Sequence, residues 1–127
     1  LFMQGEGRQG DDLPRNVTQI VAAALMLMRN NQEQPLTVPH IADRLEIAPR
    51  RLTAVFKAEL GAGPQQVYRR IRLQTARRLV ERTGLGIAEI ALRCGYENAS
   101  AMTRAYREEF GKSPQQTRRR KLSGGGF

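Results

Sequence analysis

The chain has 127 residues, 40% of them apolar, which suffices for one small domain or two tightly joined subdomains and is too little for a large enzyme. Its 21 Lys and Arg against 12 Asp and Glu give a net charge of +9, most of it from Arg, whose planar fork suits phosphates and guanine edges. The excess is local: residues 48–82 hold nine basic and two acidic side chains, 83–127 hold eight and four, and 1–47 hold four and six, so the last eighty residues are the ones built to face a polyanion. Along the chain, residues 1–13 are Gly-rich and charged, lack the apolar stretch of a signal peptide, and read as a linker or cloning remnant outside the fold. From Val17 the apolar residues Ile20, Val21, Ala24, Leu25 and Met28 line one face of a helix, with Pro14 placed in its first turn. Thr37 can cap a two-turn helix from Val38 to Leu45 that turns Ile41, Ala42 and Leu45 inward. Pro49 opens a third helix, with Leu52, Phe56 and Leu60 inward and Arg50, Arg51, Thr53, Ala54 and Lys57 outward.

Gly61 and Gly63 end that helix, and Pro64 begins a longer one to about Arg82, where six arginines alternate with Val67, Ile71, Leu73, Ala76, Leu79 and Val80. At 1.5 Å per residue it would be roughly 28 Å long. After Thr83-Gly84-Leu85-Gly86, a short helix runs from Ile87 to Cys94, Gly95 suits a left-handed cap, and Asn98 caps a helix whose Met102, Tyr106 and Phe110 repeat the earlier apolar triplet.

The repetition is systematic. Ile41-Ala42 matches Ile90-Ala91 at an offset of 49, and Leu52, Phe56, Leu60, Gly61 and Pro64 match Met102, Tyr106, Phe110, Gly111 and Pro114 at 50, so one residue has been inserted in the second turn. The fold class is all-α: a helix-turn-helix subdomain over 14–62, a linker helix over 63–83, a second such subdomain over 84–120, and a disordered tail over 121–127. A helix presented by such a unit fits the major groove of B-DNA, where Arg pairs with guanine and small side chains touch other base edges. The second outward face carries Ala99, Ser100, Thr103, Arg104 and Arg107, and the two heads should read different bases, held by the linker helix near the roughly 34 Å spacing of successive major grooves.

The span from about Val17 to Arg120 resembles the DNA-binding domain of AraC/XylS-type bacterial transcription regulators. The resemblance rests on Leu52-Thr53-Ala54-Val55-Phe56-Lys57 followed by Gly61-x-x-Pro64, on Arg72-Leu73-x-x-Ala76-Arg77-x-Leu79, and on Ile87-Ala88-Glu89-Ile90-Ala91-x-x-x-Gly95-Tyr96 through Phe110-Gly111-x-Ser113-Pro114. It implies seven helices, sequence-specific promoter binding that recruits RNA polymerase, and a sensor domain preceding this module; the location is read separately, since a single cysteine and short apolar runs suit a soluble, intracellular chain and hence the cytoplasm. It also implies base contacts at Arg50, Thr53 and Ala54 in the first head and at Ala99, Ser100, Thr103 and Arg104 in the second. Two departures stand out: Ala54 sits where the family commonly has Arg, which moves the guanine contact toward Arg50 or Arg51, and Glu46 sits where the second copy has Gly95, so the first turn must tolerate a side chain.

The remaining chemistry is bland. Cys94, the only cysteine, matches inward-facing Leu45 and reads as a buried, inert thiol; His40 has no ligand constellation and reads as a solvated helix-start residue, so no metal or cofactor is expected. At least one of Arg69, Arg72 and Arg77 is expected on a phosphate or an intramolecular carboxylate, the alternative being a solvated face, and the basic run Arg118-Arg119-Arg120-Lys121 is either a nonspecific phosphate contact or a disordered, solvated end. Apolar runs no longer than the nine residues from Ile20 to Met28 exclude a spanning helix, which needs about 20. DNA-repair methyl-acceptor proteins share a two-headed fold, but their chemistry needs a reactive metal-held cysteine, so catalysis is not expected. The competing reading is a nonspecific nucleoid-associated or RNA-binding module, since charge alone gives affinity for polyanions.

Overall fold

A computed structural model describes residues 16–125, and among them the chain forms seven helices and no strand. These are α1 (Val17–Asn30), α2 (Val38–Arg44), α3 (Pro49–Leu60), α4 (Pro64–Arg82), α5 (Ile87–Arg93), α6 (Ala99–Phe110) and α7 (Pro114–Gly125). The all-α architecture expected from the sequence is observed. The linker expected over 1–13 and the placement of Pro14 in the first helical turn lie outside the described residues. Two compact units divide the chain: 16–30 with Leu36–Val67, and Asn31–Pro35 with the chain from Tyr68 onward, so the boundary falls inside α4 and the α1–α2 connection belongs with the second unit.

In the first unit α1 is opened by a reciprocal cap. Gln19 N donates to Asn16 Oδ1 at 2.8 Å and Asn16 N to Gln19 Oε1 at 3.3 Å, which satisfies two amides that the helix leaves unpaired. Ile20, Ala24 and Met28 form its buried stripe, and α1 packs on both α2 and α3. The Thr37 hydroxyl accepts from His40 N at 3.2 Å and starts α2, which buries Ile41 and Ala42 with Leu45 at its end. The turn that follows contains Glu46 at φ 56°, the only non-glycine in left-handed conformation among the described residues. Ala48 gives α3 no side-chain cap, but Pro49 at the first position has no amide to satisfy. Burial of Leu52, Val55 and Phe56 fixes α3, each contributing about 1.5–3 kcal/mol.

Leu60 departs from the sequence expectation. Its spacing predicts a core position with Leu52 and Phe56, yet it is 42% exposed. The buried stripe of α3 is completed by Val55, and Leu60 is the last helical residue before Gly61 turns left-handed at φ 75°. Ala62 and Pro64, just past the turn, are buried instead.

The second unit repeats the plan with different caps. Leu73, Ala76 and Val80 of α4 close on Ile90, Ala91, Cys94, Met102 and Tyr106 in one core, with Leu79, Leu85, Tyr96 and Phe110 partly buried around it. Asn98 Oδ1 accepts from Ala101 N at 2.8 Å and opens α6. A second reciprocal pair opens α7: Gln116 N donates to Ser113 Oγ at 3.1 Å and Ser113 N to Gln116 Oε1 at 2.8 Å. The buried Tyr106 hydroxyl donates to Thr117 Oγ1 at 3.1 Å, and the Tyr106 and Phe110 rings meet edge to face with centroids 4.6 Å apart. Cys94 is fully buried; desolvation, opposed by the charges of Arg72 and Arg78, pushes its thiol up to about 11, in keeping with an inert core residue.

The basic C-terminal run also differs from expectation. Arg118 is not free for phosphate: Nε donates to Val80 O at 3.1 Å, Nη1 to Leu85 O at 2.7 Å and Nη2 to Thr83 O at 3.1 Å. The guanidinium thus ties a carbonyl of the last turn of α4 to two carbonyls of the loop that follows it, a job that needs several donors in one plane. The α7 backbone remains helical to Gly125, past the expected end of the second subdomain at Arg120.

Candidate nucleic-acid interface

Each unit presents one helix with a basic outer surface and, beside it, the first turn of the next helix. In the first unit Arg50, Arg51, Ala54 and Lys57 are exposed on α3 and Thr53 is half-buried. Thr53 and Lys57 line an open groove with Val38 of α2 and Gly63, Pro64, Gln65 and Gln66 at the start of α4. Arg50, Arg51 and Ala54 do not line it. In the second unit all five expected positions come together: Ala99, Ser100, Thr103, Arg104 and Arg107 line one open groove, joined by Glu108 and by Gln115 at the start of α7. Ser100, Arg104 and Arg107 are exposed there, Ala99 and Thr103 half-buried.

Set side by side, the grooves share their chemistry at the repeat offset: Thr53 with Thr103, Lys57 with Arg107, Gln65 with Gln115. Each combines a hydroxyl and a cation on the exposed helix with an amide at the positive end of the following helix, a set that suits an anionic, hydrogen-bonding polymer. Gln65, Gln66 and Gln115 line the grooves without being among the residues expected there, as do Val38 and Glu108. The signal was the recurrence of Gln-Gln after Pro64 and Pro114: a turn needs the proline, whereas a structural reason to recur is found for at most one glutamine of a pair. Gln116 does acquire one, in its cap with Ser113, but Gln115 does not.

The electrostatics separate two groups of arginines. Among the described residues no ion pair engages Arg50, Arg51, Lys57, Arg104 or Arg107, so their charges face solvent. Arg69, Arg70, Arg72 and Arg77 of α4 are engaged within the second unit. Arg69 is ion-paired with Glu108, Arg70 Nε lies 3.7 Å from Glu109, and Arg77 Nε lies 3.3 Å from Glu81 with its guanidinium over the Phe110 ring at 5.1 Å. The carboxylate role expected for at least one of Arg69, Arg72 and Arg77 thus falls to Arg69 and Arg77, while Arg72 donates to backbone carbonyls. His40 is exposed, and the described residues contain no cluster of His, Cys, Asp and Glu able to hold a metal. No described helix is long and apolar enough to cross a membrane.

Comparisons with known proteins agree with this geometry. A family described as a helix-turn-helix domain matches residues 41–120. The chain is 36% identical over 104 residues to the HTH-type transcriptional regulator ArgR of Pseudomonas aeruginosa, covering 82% of this chain and 32% of that protein. It is 36% identical over 91 residues to the HTH-type transcriptional regulator CdhR of the same organism, covering 72% and 27%. The chain therefore spans about one third of the length of these relatives. Among solved structures, an AraC-type transcriptional regulator from Chromobacterium violaceum superposes with a TM-score of 0.78 at 32% identity, covering 82% of this chain and 93% of that one. The DNA-binding domain of AdpA, solved in complex with a target DNA, gives 0.72 at 26% identity, covering 87% and 95%. These proteins are transcriptional regulators rather than enzymes. The chain belongs to the AraC-type family of bacterial transcription regulators, whose helix-turn-helix DNA-binding domain it constitutes.

Proposed function

We propose that α3 and α6 are two recognition helices that enter successive major-groove segments of one promoter site. The observation that carries this reading is the duplicated groove, in which Thr53, Lys57 and Gln65 recur as Thr103, Arg107 and Gln115 while the flanking outer-face residues differ. Matching frames with unlike tips are what asymmetric reading requires. In the first head Arg50, Arg51, Thr53 and Ala54 face the bases, with guanine contacts falling to Arg50 or Arg51 because Ala54 offers only a methyl; in the second, Ala99, Ser100, Thr103 and Arg104 do so. Lys57 and Arg107, a turn further along each helix, supply phosphate contacts. The full-length protein works in the cytoplasm, carries a sensor domain ahead of this module, and activates transcription by engaging RNA polymerase.

Selection of bound duplexes from a random library at near-physiological salt tests the reading. Two unlike short blocks about one helical turn apart are expected to be enriched. Arg50→Ala should relax one block and Arg104→Ala the other, each costing about 1–3 kcal/mol against the preferred base. Uniform weakening across all sequences would reassign that residue to phosphate. Binding with no enriched block would favour a nonspecific polyanion binder, whose affinity falls with salt in the same way, by a log-log slope of about 0.9 per phosphate contacted.

A further inference from the structure

Arg72 lies in the middle of α4, far in sequence from either outward face, yet it binds the turn that aims α6. Its Nη1 donates to Cys94 O at 3.0 Å and to Gly95 O at 3.1 Å, the two residues that carry the chain out of α5. Its guanidinium is stacked between rings, 4.6 Å from the centroid of Tyr96 and 5.9 Å from that of Tyr68. Tyr68 in turn donates from its hydroxyl to Asn31 O, and the segment from Asn31 to Pro35 packs against the same turn, where Gln32 O and the Pro35 ring fill the space a side chain at Gly95 would need. The turn is therefore gripped by α4 and by this segment. The grip also carries a cost, since Arg72 Nε and the Tyr96 hydroxyl are buried with no hydrogen-bond partner in the structure. A side chain needed only to cover the core would be apolar at this position and would incur none of it.

The first unit has no counterpart. At the repeat offset of 49 or 50 the residue matching Arg72 is Ala23 or Ala22, and no described side chain is hydrogen-bonded to the carbonyl of Leu45 or Glu46. The two heads thus differ in how firmly their recognition helices are aimed, not only in which side chains they present. We propose that Arg72 is a positioning residue for DNA recognition. By holding the Cys94 and Gly95 carbonyls it sets the orientation in which α6 offers Ala99, Ser100, Thr103 and Arg104, and it does so without touching DNA. This rests on the two-headed reading above.

The test is the same random-duplex selection, run on the wild type, Arg72→Met and Arg72→Lys. Methionine keeps the stem and loses both carbonyl bonds; lysine keeps the charge but cannot stack as a plane or span two acceptors. A loss of folded protein scales the retention of every sequence alike, whereas a mis-aimed α6 changes only the block that α6 reads. Enrichment in the α6 block is expected to fall about fivefold or more per position, the scale of one good base contact, with the α3 block unchanged. Arg72→Lys should recover thermal stability more than it recovers the α6 block. Retention of both blocks, or a proportional fall in both, overturns the positioning role and leaves Arg72 a structural residue. If Arg72→Met does not fold, Arg72→Lys decides on the same criterion. A wild type that enriches no second block is a separate failure, which removes the two-headed reading and the role built on it.

Discussion

Gly95→Ala should destabilise the protein far more than the same change at Gly111, although both glycines adopt the same left-handed conformation. Gly95 has φ 82° and Gly111 φ 77°, so alanine at either site meets the backbone penalty of about 1–2 kcal/mol for an L-residue in that region. Both also gain the few tenths to about 1 kcal/mol that alanine confers by restricting the unfolded chain. What differs is space. A Cβ at Gly111 has nothing within 4 Å, whereas at Gly95 it would lie 2.7 Å from Pro35 Cγ and 2.9 Å from Pro35 Cδ, and closer still to Gln32 O. Neither a proline ring nor a backbone carbonyl can swing aside, so overpacking adds about 1–3 kcal/mol. The expected losses are about 1 kcal/mol or less for Gly111→Ala and about 2–4 kcal/mol for Gly95→Ala. Urea denaturation followed by circular dichroism, with equal m-values as the control, measures both. Equal losses at the two sites would refute the idea that the Asn31–Pro35 segment fixes the second turn.

Cys94 should react with a thiol reagent only at the rate of unfolding, and reaction of the native protein faster than that would contradict its burial. Because its thiol is raised from 9.0 to about 11, the unfolded chain gives up the proton first; stability is complete below pH 9 and declines as pH rises from about 9 to about 11, with Tyr96 and Tyr106, also raised by burial, adding to the loss at the alkaline end. A denaturation midpoint that does not fall over that window would sink the assignment. Arg118→Met removes three bonds to backbone carbonyls of a half-exposed guanidinium and should cost about 1–3 kcal/mol of stability while leaving the salt dependence of DNA binding unchanged. A drop of about 0.9 in the log-log salt slope would instead make Arg118 a phosphate contact.

The residues themselves determined a good deal. Local signals act through the backbone nearest to them, so Thr37, Asn98, Pro49, Pro64 and the glycines after α3, α5 and α6 marked helix ends that the structure reproduces. The 50-residue repeat carried the duplicated subdomain, and the mismatch of Glu46 with Gly95 foretold a left-handed non-glycine, found at φ 56°. Periodicity located the faces of α1 and α2, because an apolar stripe has one place to go. It misassigned Leu60 because the end of a helix can turn out of the core while its period continues, and nothing in the spacing says where the partner helix stops. The engagement of arginines was decided by tertiary structure alone. Arg72, Arg104 and Arg118 are chemically identical in the sequence, yet one grips a turn, one faces solvent in a groove, and one ties the last turn of α4 to the loop after it, because a long cation takes whichever carbonyl, ring or water the packed helices bring within its reach.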